Sequence, residues 1–98
     1  MRENKFQSTL KKELKERFPG CLIIKNDPND KAGIPDLTIF YRNMWAMLEV
    51  KRSMDAPRQP LQEYYIDWAN SQSFGRFICP ENKEEVLNEL ERSFGSHR

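Results

Sequence analysis

Ninety-eight residues hold one compact domain and leave no room for a separate regulatory one. With 38% hydrophobic and 32% charged residues, the chain is neither disordered nor membrane-spanning, since no run approaches the roughly 20 apolar residues a bilayer requires. A net charge of +1 does not by itself advertise a domain that grips phosphates by bulk charge and counts mildly against one, yet it is compatible with a site whose acids hold divalent cations and cancel the bases in the count, so charge alone does not decide.

The first element is a helix from Asn4 to Phe18, where Phe6, Leu10, Leu14 and Phe18 recur at four-residue spacing and Pro19-Gly20 ends the pattern. Cys21 to Lys25 is a short apolar run that suits a strand, and a polar loop follows from Asn26 to Gly33. Leu37 to Tyr41 and Met44 to Lys51 are β-prone and separated by Arg42-Asn43, the composition of a tight hairpin. After the polar, proline-containing stretch Arg52 to Pro60, the residues Leu61, Tyr64, Tyr65 and Trp68 mark a second helix. Arg76 to Cys79 is a last strand, and Val86, Leu87, Leu90 and Phe94 announce a terminal amphipathic helix. The expected order is αβββαβα in a single α/β domain over residues 1–98, with a mixed central sheet flanked by helices and a frayed tail over 93–98.

Cys21 and Cys79 each sit in an apolar run without CxxC spacing, which reads as two buried reduced thiols rather than a disulfide or a zinc site. The N-terminal residues lack the apolar segment of a signal peptide, so the chain is expected to be cytoplasmic, in a bacterial or phage-infected cell.

The chemistry concentrates on the hairpin. In a strand, Trp45, Met47, Glu49 and Lys51 share one face while Ala46, Leu48 and Val50 share the other. With the turn at Arg42-Asn43, Asp36 on the antiparallel neighbour falls level with Glu49 and Lys51. Two carboxylates and an ammonium at one point make a site for a hard cation such as Mg²⁺ or Mn²⁺. Glu-x-Lys by itself is not specific, because it also occurs at Glu3-Lys5, Glu13-Lys15 and Glu81-Lys83. Only Glu49-Val50-Lys51 ends an apolar strand that follows a Pro-Asp pair. Each residue alone has a plainer explanation, Asp36 as a turn residue and Glu49-Lys51 as an ion pair on a solvated sheet face.

GIPDLTIF, LEVK and PLQEYY together resemble the virus-type replication-repair nuclease (VRR-NUC) domain, a branch of the PD-(D/E)xK superfamily, over almost the whole chain. The resemblance implies a restriction-endonuclease-like core and a Mg²⁺- or Mn²⁺-dependent DNA nuclease. It implies that Asp36, Glu49 and the Val50 carbonyl hold the metal, that Lys51 orients or activates the attacking water, and that Gln62 supports the site. It also implies a metal-proximal glutamate from the first helix. At about 100° per residue, Glu3 falls near the centre of that helix's inward stripe, with Gln7 on the same face, whereas Glu13 lies toward the edge. Glu3 is therefore the choice, with simple capping of a frayed helix end as the alternative.

Lys25, Lys31, Gly33, Arg52 and Arg58 are the candidate contacts to nucleic acid, with Arg42 a further loop arginine. Tyr64, Tyr65 and Trp68 suit either stacking on unpaired bases or, better, packing in a core or dimer. The partners expected are DNA, branched or four-way junctions being implied by the resemblance, a second copy of the chain in a homodimer, and proteins of replication or recombination. The competing functions are a DNA- or protein-binding module that retains the nuclease fold without activity, and an inhibitor whose charged loops contact other proteins.

Overall fold

Spacing of apolar residues decides where each element forms, and the computed structural model, which describes residues 2–95, places seven of them. Helix α1 spans Glu3–Arg17 and buries Phe6, Leu10 and Leu14. It stops where Pro19 cannot continue it, and Gly20 turns the chain at φ 88°. Strands β1 (Leu22–Lys25), β2 (Leu37–Tyr41) and β3 (Met44–Val50) follow. Helix α2 spans Pro60–Gln72, β4 Gly75–Ile78 and α3 Lys83–Gly95. The αβββαβα order expected from the sequence is the order found. Helix α3 extends through the residues expected to fray at 93–95, because Phe94 is buried in the core. Residues 96–98 of that expected tail lie outside the described residues.

The four strands lie in the order β1-β2-β3-β4, the first three antiparallel and β4 parallel to β3. Arg42 adopts a left-handed φ of 58° in the two-residue turn, which closes the β2–β3 hairpin with Tyr41 opposite Met44. Leu37 consequently stands opposite Leu48 and Ile39 opposite Ala46. These residues, with Val50 and Ile78, form one face of the sheet and pack with Leu10, Leu14, Leu87, Leu90 and Phe94 from α1 and α3. Phe18, Tyr41 and Phe94 close the far end of this core with ring centroids 5.3 to 5.9 Å apart.

The other face is only half covered. Helix α2 lies on β3 and β4, burying Ile66 and Ala69. The close approach depends on Gly75, where a Cβ would come within 2.5 Å of the Ile66 carbonyl oxygen and 2.9 Å of the Ala69 Cβ. The stripe that marks α2 in the sequence does not supply its buried face. Leu61, Tyr64 and Trp68 are exposed, and the side defined by Ile66 and Ala69 meets the sheet instead. The three residues mark a helix correctly, but the close approach of its backbone to β4 at Gly75 is made on the side of Ile66 and Ala69. Both cysteines are free thiols; Cys79 is buried as expected, whereas Cys21 is only partly so. Among the described residues no helix is long and apolar enough to cross a membrane.

Gly75→Ala is expected to lower stability by about 1–3 kcal/mol, the usual cost of overpacking, because backbone and not a flexible side-chain end stands in the way. Urea denaturation measures it, and an unchanged midpoint would mean that α2 does not sit this close to β4.

Candidate active site

One residue pair beyond Leu37 and Leu48, the β2–β3 register brings Asp36 level with Glu49 on the α2 side of the sheet. Their side chains take over the pairing where the strands end. The Val50 backbone N–H donates to Asp36 Oδ2 at 2.9 Å, and the Asp36 backbone N–H donates to Glu49 Oε1 at 3.2 Å. Lys51, held in line by its own N–H donating to the Ile78 carbonyl at 2.8 Å, points its Nζ to 3.8 Å from Glu49 Oε2. The sequence expectation that these three side chains converge is the arrangement observed.

Gln62 comes to the same place from α2. Its Oε1 accepts from Lys51 Nζ at 2.8 Å and from the Gln59 backbone N–H at 3.0 Å, so one amide oxygen ties the start of the helix to the lysine. Asn26 was not singled out from the sequence. Its backbone N–H donates to the Asp36 carbonyl at 2.8 Å, and its side-chain amide donates to the Pro35 carbonyl at 2.9 Å and to Thr38 Oγ1 at 2.8 Å. It therefore fixes the backbone on both sides of Asp36. The only sequence signal for it was an asparagine directly after a strand and before Asp-Pro, which reads equally well as a turn.

Glu49 is 4% exposed. Burial, then the neighbouring Asp36 charge, pushes its carboxyl up to about 7, against the lowering effects of Lys51 and the Asp36 N–H. The charge of Glu3 raises it further. A buried carboxylate that resists ionising beside another carboxylate suits a bound divalent cation, which would remove the repulsion that lifts its pKa. The donors fit such an ion: hard carboxylate oxygens, in the small number that Mg²⁺ takes from proteins while keeping several waters. Among the described residues no three Asp, Glu, His or Cys side chains gather into a metal cluster, so Glu3 is not assembled with the other two. It sits exposed in the first turn of α1 and acts on Glu49 through its charge. Glu13 is engaged elsewhere, bonded to Lys83 at 2.7 Å and Arg17 at 3.2 Å.

The basic candidates are dispersed. Lys31 is exposed in the β1–β2 loop with its Nζ 5.9 Å from the Tyr65 ring centre. Arg58 stacks at 4.0 Å over Phe77, the residue that β4 places opposite Glu49. Arg52 is exposed immediately after Lys51, and Arg42 lies in the hairpin turn at the other end of the strands. Lys25 stands opposite Leu37, and so on the α1–α3 side of the sheet rather than the side from which Glu49 projects. Gly33 has a φ of 83° and lies against Leu61, whose Cβ would be 2.4 Å from any added Cβ. Its glycine is explained by packing the loop onto the start of α2.

Two solved structures share this architecture along most of their length. One, described as a VRR_NUC domain protein, is 15% identical with a TM-score of 0.68, covering 95% of this chain and 90% of its own. The other, described as a VRR_NUC domain, is 22% identical with a TM-score of 0.61, covering 83% of this chain and 92% of its own. Scanned against family models and curated proteins, the sequence matches none. The fold is the restriction-endonuclease-like one, with a mixed sheet flanked by helices. Its particular form is that of the VRR-NUC domain, as the GIPDLTIF, LEVK and PLQEYY segments led one to expect.

The raised Glu49 pKa makes metal-free stability depend on pH. Below about 4.5 the carboxyl is protonated in both folded and unfolded chains; between there and about 7 only the fold retains the proton, so stability falls as pH rises. The loss reaches up to about 3 kcal/mol as an upper limit. In metal-free thermal melts Glu49→Gln is expected to be more stable than wild type at about pH 8 and to converge with it in acid. A wild type that gains stability across that range would contradict the placement of Glu49.

Proposed function

We propose that this chain is a metal-dependent DNA nuclease of the VRR-NUC family, hydrolysing phosphodiester bonds in branched or four-way DNA during replication, recombination or repair. The observation that carries the reading is the meeting of Asp36, Glu49 and Lys51 at one sheet end, in the fold of VRR-NUC domains. Asp36, Glu49 and the Val50 carbonyl would hold Mg²⁺ or Mn²⁺, with Glu3 adding the attraction of its charge. When bound, the ion supplies charge neutralisation at the phosphate and water of lowered pKa.

The residues of the chain do the rest. Lys51, with its ammonium anchored on Gln62, holds a positive charge beside the position of the attacked phosphate and orients the water. The water oxygen forms the new P–O bond as the bond to the leaving oxygen breaks, and that oxygen takes up a proton. Asn26 keeps Asp36 in place, and the dispersed bases Lys31, Arg52 and Arg58 would each offer a positive charge to the backbone of the nucleic acid. So small a surface grips little DNA alone, which favours a homodimer presenting two sites to a substrate with two-fold symmetry.

Cleavage of linear, flapped and four-way DNA tests the proposal. Wild type is expected to cut with Mg²⁺ or Mn²⁺ and not with chelator. Asp36→Ala and Lys51→Met are expected to lose at least about a hundredfold in rate, the low end of what a positioned catalytic group contributes. Saturating metal is expected to raise the thermal midpoint of wild type and not that of Asp36→Ala. Wild type that binds DNA and cuts none of these substrates would make the chain a binding module that keeps the fold.

A further inference from the structure

The near-zero net charge conceals a separation of sign between the helices. Helix α1 carries five bases and three acids, α2 two acids and no base, and α3 four acids and two bases. Two of the acids of α1 are engaged elsewhere: Glu3 acts on Glu49 by its charge, and Glu13 is bonded to Lys83 and Arg17. Arg17 is itself paired with Glu13, Glu84 and Glu91. That leaves four lysines, Lys5, Lys11, Lys12 and Lys15, none of which joins an ion pair among the described residues.

Spacing gathers these lysines. At about 100° per residue, Lys5, Lys12 and Lys15 fall on the side of α1 opposite Phe6, Leu10 and Leu14, and all three are exposed. Lys11, half-buried, borders them. Glu16 is the one acid on that side, and although it stands four residues after Lys12, the two form no ion pair. Lys11 and Lys15 are also four residues apart, and there like faces like, which costs the helix stability where an acid at either place would add to it. A face that served solubility alone would gain from mixing the signs. A polyanion lying along it would relieve the repulsion.

We infer that the outward face of α1 is the track on which a duplex arm of the substrate rests, with Lys5, Lys12 and Lys15 meeting its phosphates. The inference rests on the nuclease reading above and names the surface that holds the DNA. Direction argues for it. The first turn of α1 is the end nearest the site, since the charge of Glu3 reaches Glu49, and from Lys5 to Lys15 the helix then runs about 15 Å away from it. Lys25 adds to the same side. It is exposed at the end of β1, projects to the α1–α3 side of the sheet, and is followed by Asn26, which bonds Asp36. The acid surplus on α2 and α3 repels phosphate from the other two helices.

Shape selects the duplex over a single strand. About 15 Å of duplex axis carries roughly nine phosphate charges, so a straight helix meets several of them without bending the DNA. Flexible single strands call for aromatic platforms, and the one aromatic residue of α1, Phe6, is buried.

Fluorescence anisotropy with a labelled duplex, across a salt series and in chelator so that nothing is cut, tests this. Lys5→Gln, Lys12→Gln and Lys15→Gln are each expected to flatten the slope of log K against log salt by about 0.9, and the triple variant to bind at least about tenfold more weakly at low salt. Arg92→Gln removes the same charge from an exposed position on α3 and is expected to keep the wild-type slope. Glutamine is a good helix former and the three lysines project into water, so the circular dichroism of every variant is expected to match wild type. Asp36→Ala is also expected to keep the slope. A wild type that binds through these lysines and cuts nothing would therefore end the nuclease reading and leave the track in place. Wild type without duplex binding at low salt, a triple variant with an unchanged slope, or a single strand of equal length held as tightly as the duplex overturns the inference.

Discussion

Glu49 is nearly sealed from water beside a second carboxylate, and the rest of the molecule is organised around that unfavourable placement. An apolar side chain there would extend the packing of β3 at no electrostatic cost. What holds the carboxyl in position is the core on the opposite face. Leu37 opposite Leu48 and Ile39 opposite Ala46 fix the hairpin register, and Asp36 opposite Glu49 is the next pair in that register. A slip of one residue would turn both acids toward α1 and α3 and expose the leucines. The hydrophobic energy of one face thus determines the geometry of the charged cluster on the other, and no separate interaction has to hold the acids together.

The surrounding polar groups refine this placement. Gln62 satisfies a backbone donor at the start of α2 with the same oxygen that receives Lys51, so the lysine cannot shift without disturbing the first turn of the helix. The position of that helix depends in turn on Gly33 beneath Leu61 at one end and Gly75 beneath Ile66 and Ala69 at the other. Asn26 does for Asp36 what Gln62 does for Lys51, bonding the chain before and after it. Rigid support of this kind is what a site needs if its groups are to be held near a productive geometry before anything binds.

Much of this was legible in the sequence because it follows from period and turn length. The four-residue repeat of Phe6, Leu10 and Leu14 and the two-residue gap at Arg42-Asn43 locate the first helix and the hairpin. The alternation along β3 then puts Glu49 and Lys51 on one face. The covered side of α2 was not legible. Spacing marks a helix equally well whether its large residues meet the same chain or face solvent, and Leu61, Tyr64 and Trp68 do the latter. The side of Lys25 was hidden for a related reason: it depends on which residue β1 sets opposite Leu37, and the polar loop between the strands leaves that pairing open. Asn26 was missed because its three contacts join positions that only the folded hairpin brings together.

The repeated Glu-x-Lys pattern shows how far local sequence can be taken. Glu13 and Glu49 are the same residue type, each two positions before a lysine, and their carboxyls move in opposite directions. Glu13 is bonded to Lys83 and Arg17, which hold it below the usual carboxylate range; Lys15 is not its partner. Glu49 has Lys51 at 3.8 Å, but burial and Asp36 outweigh it. Two acids facing one ammonium leave a net negative charge in a place poor in water, where Coulomb forces are strongest. A cation from outside the chain is therefore worth more at Glu49 than at any acid that already has its counterion. That difference lies in burial and in the neighbours the fold supplies, which is why one copy of the motif can be an active site while another is a surface ion pair.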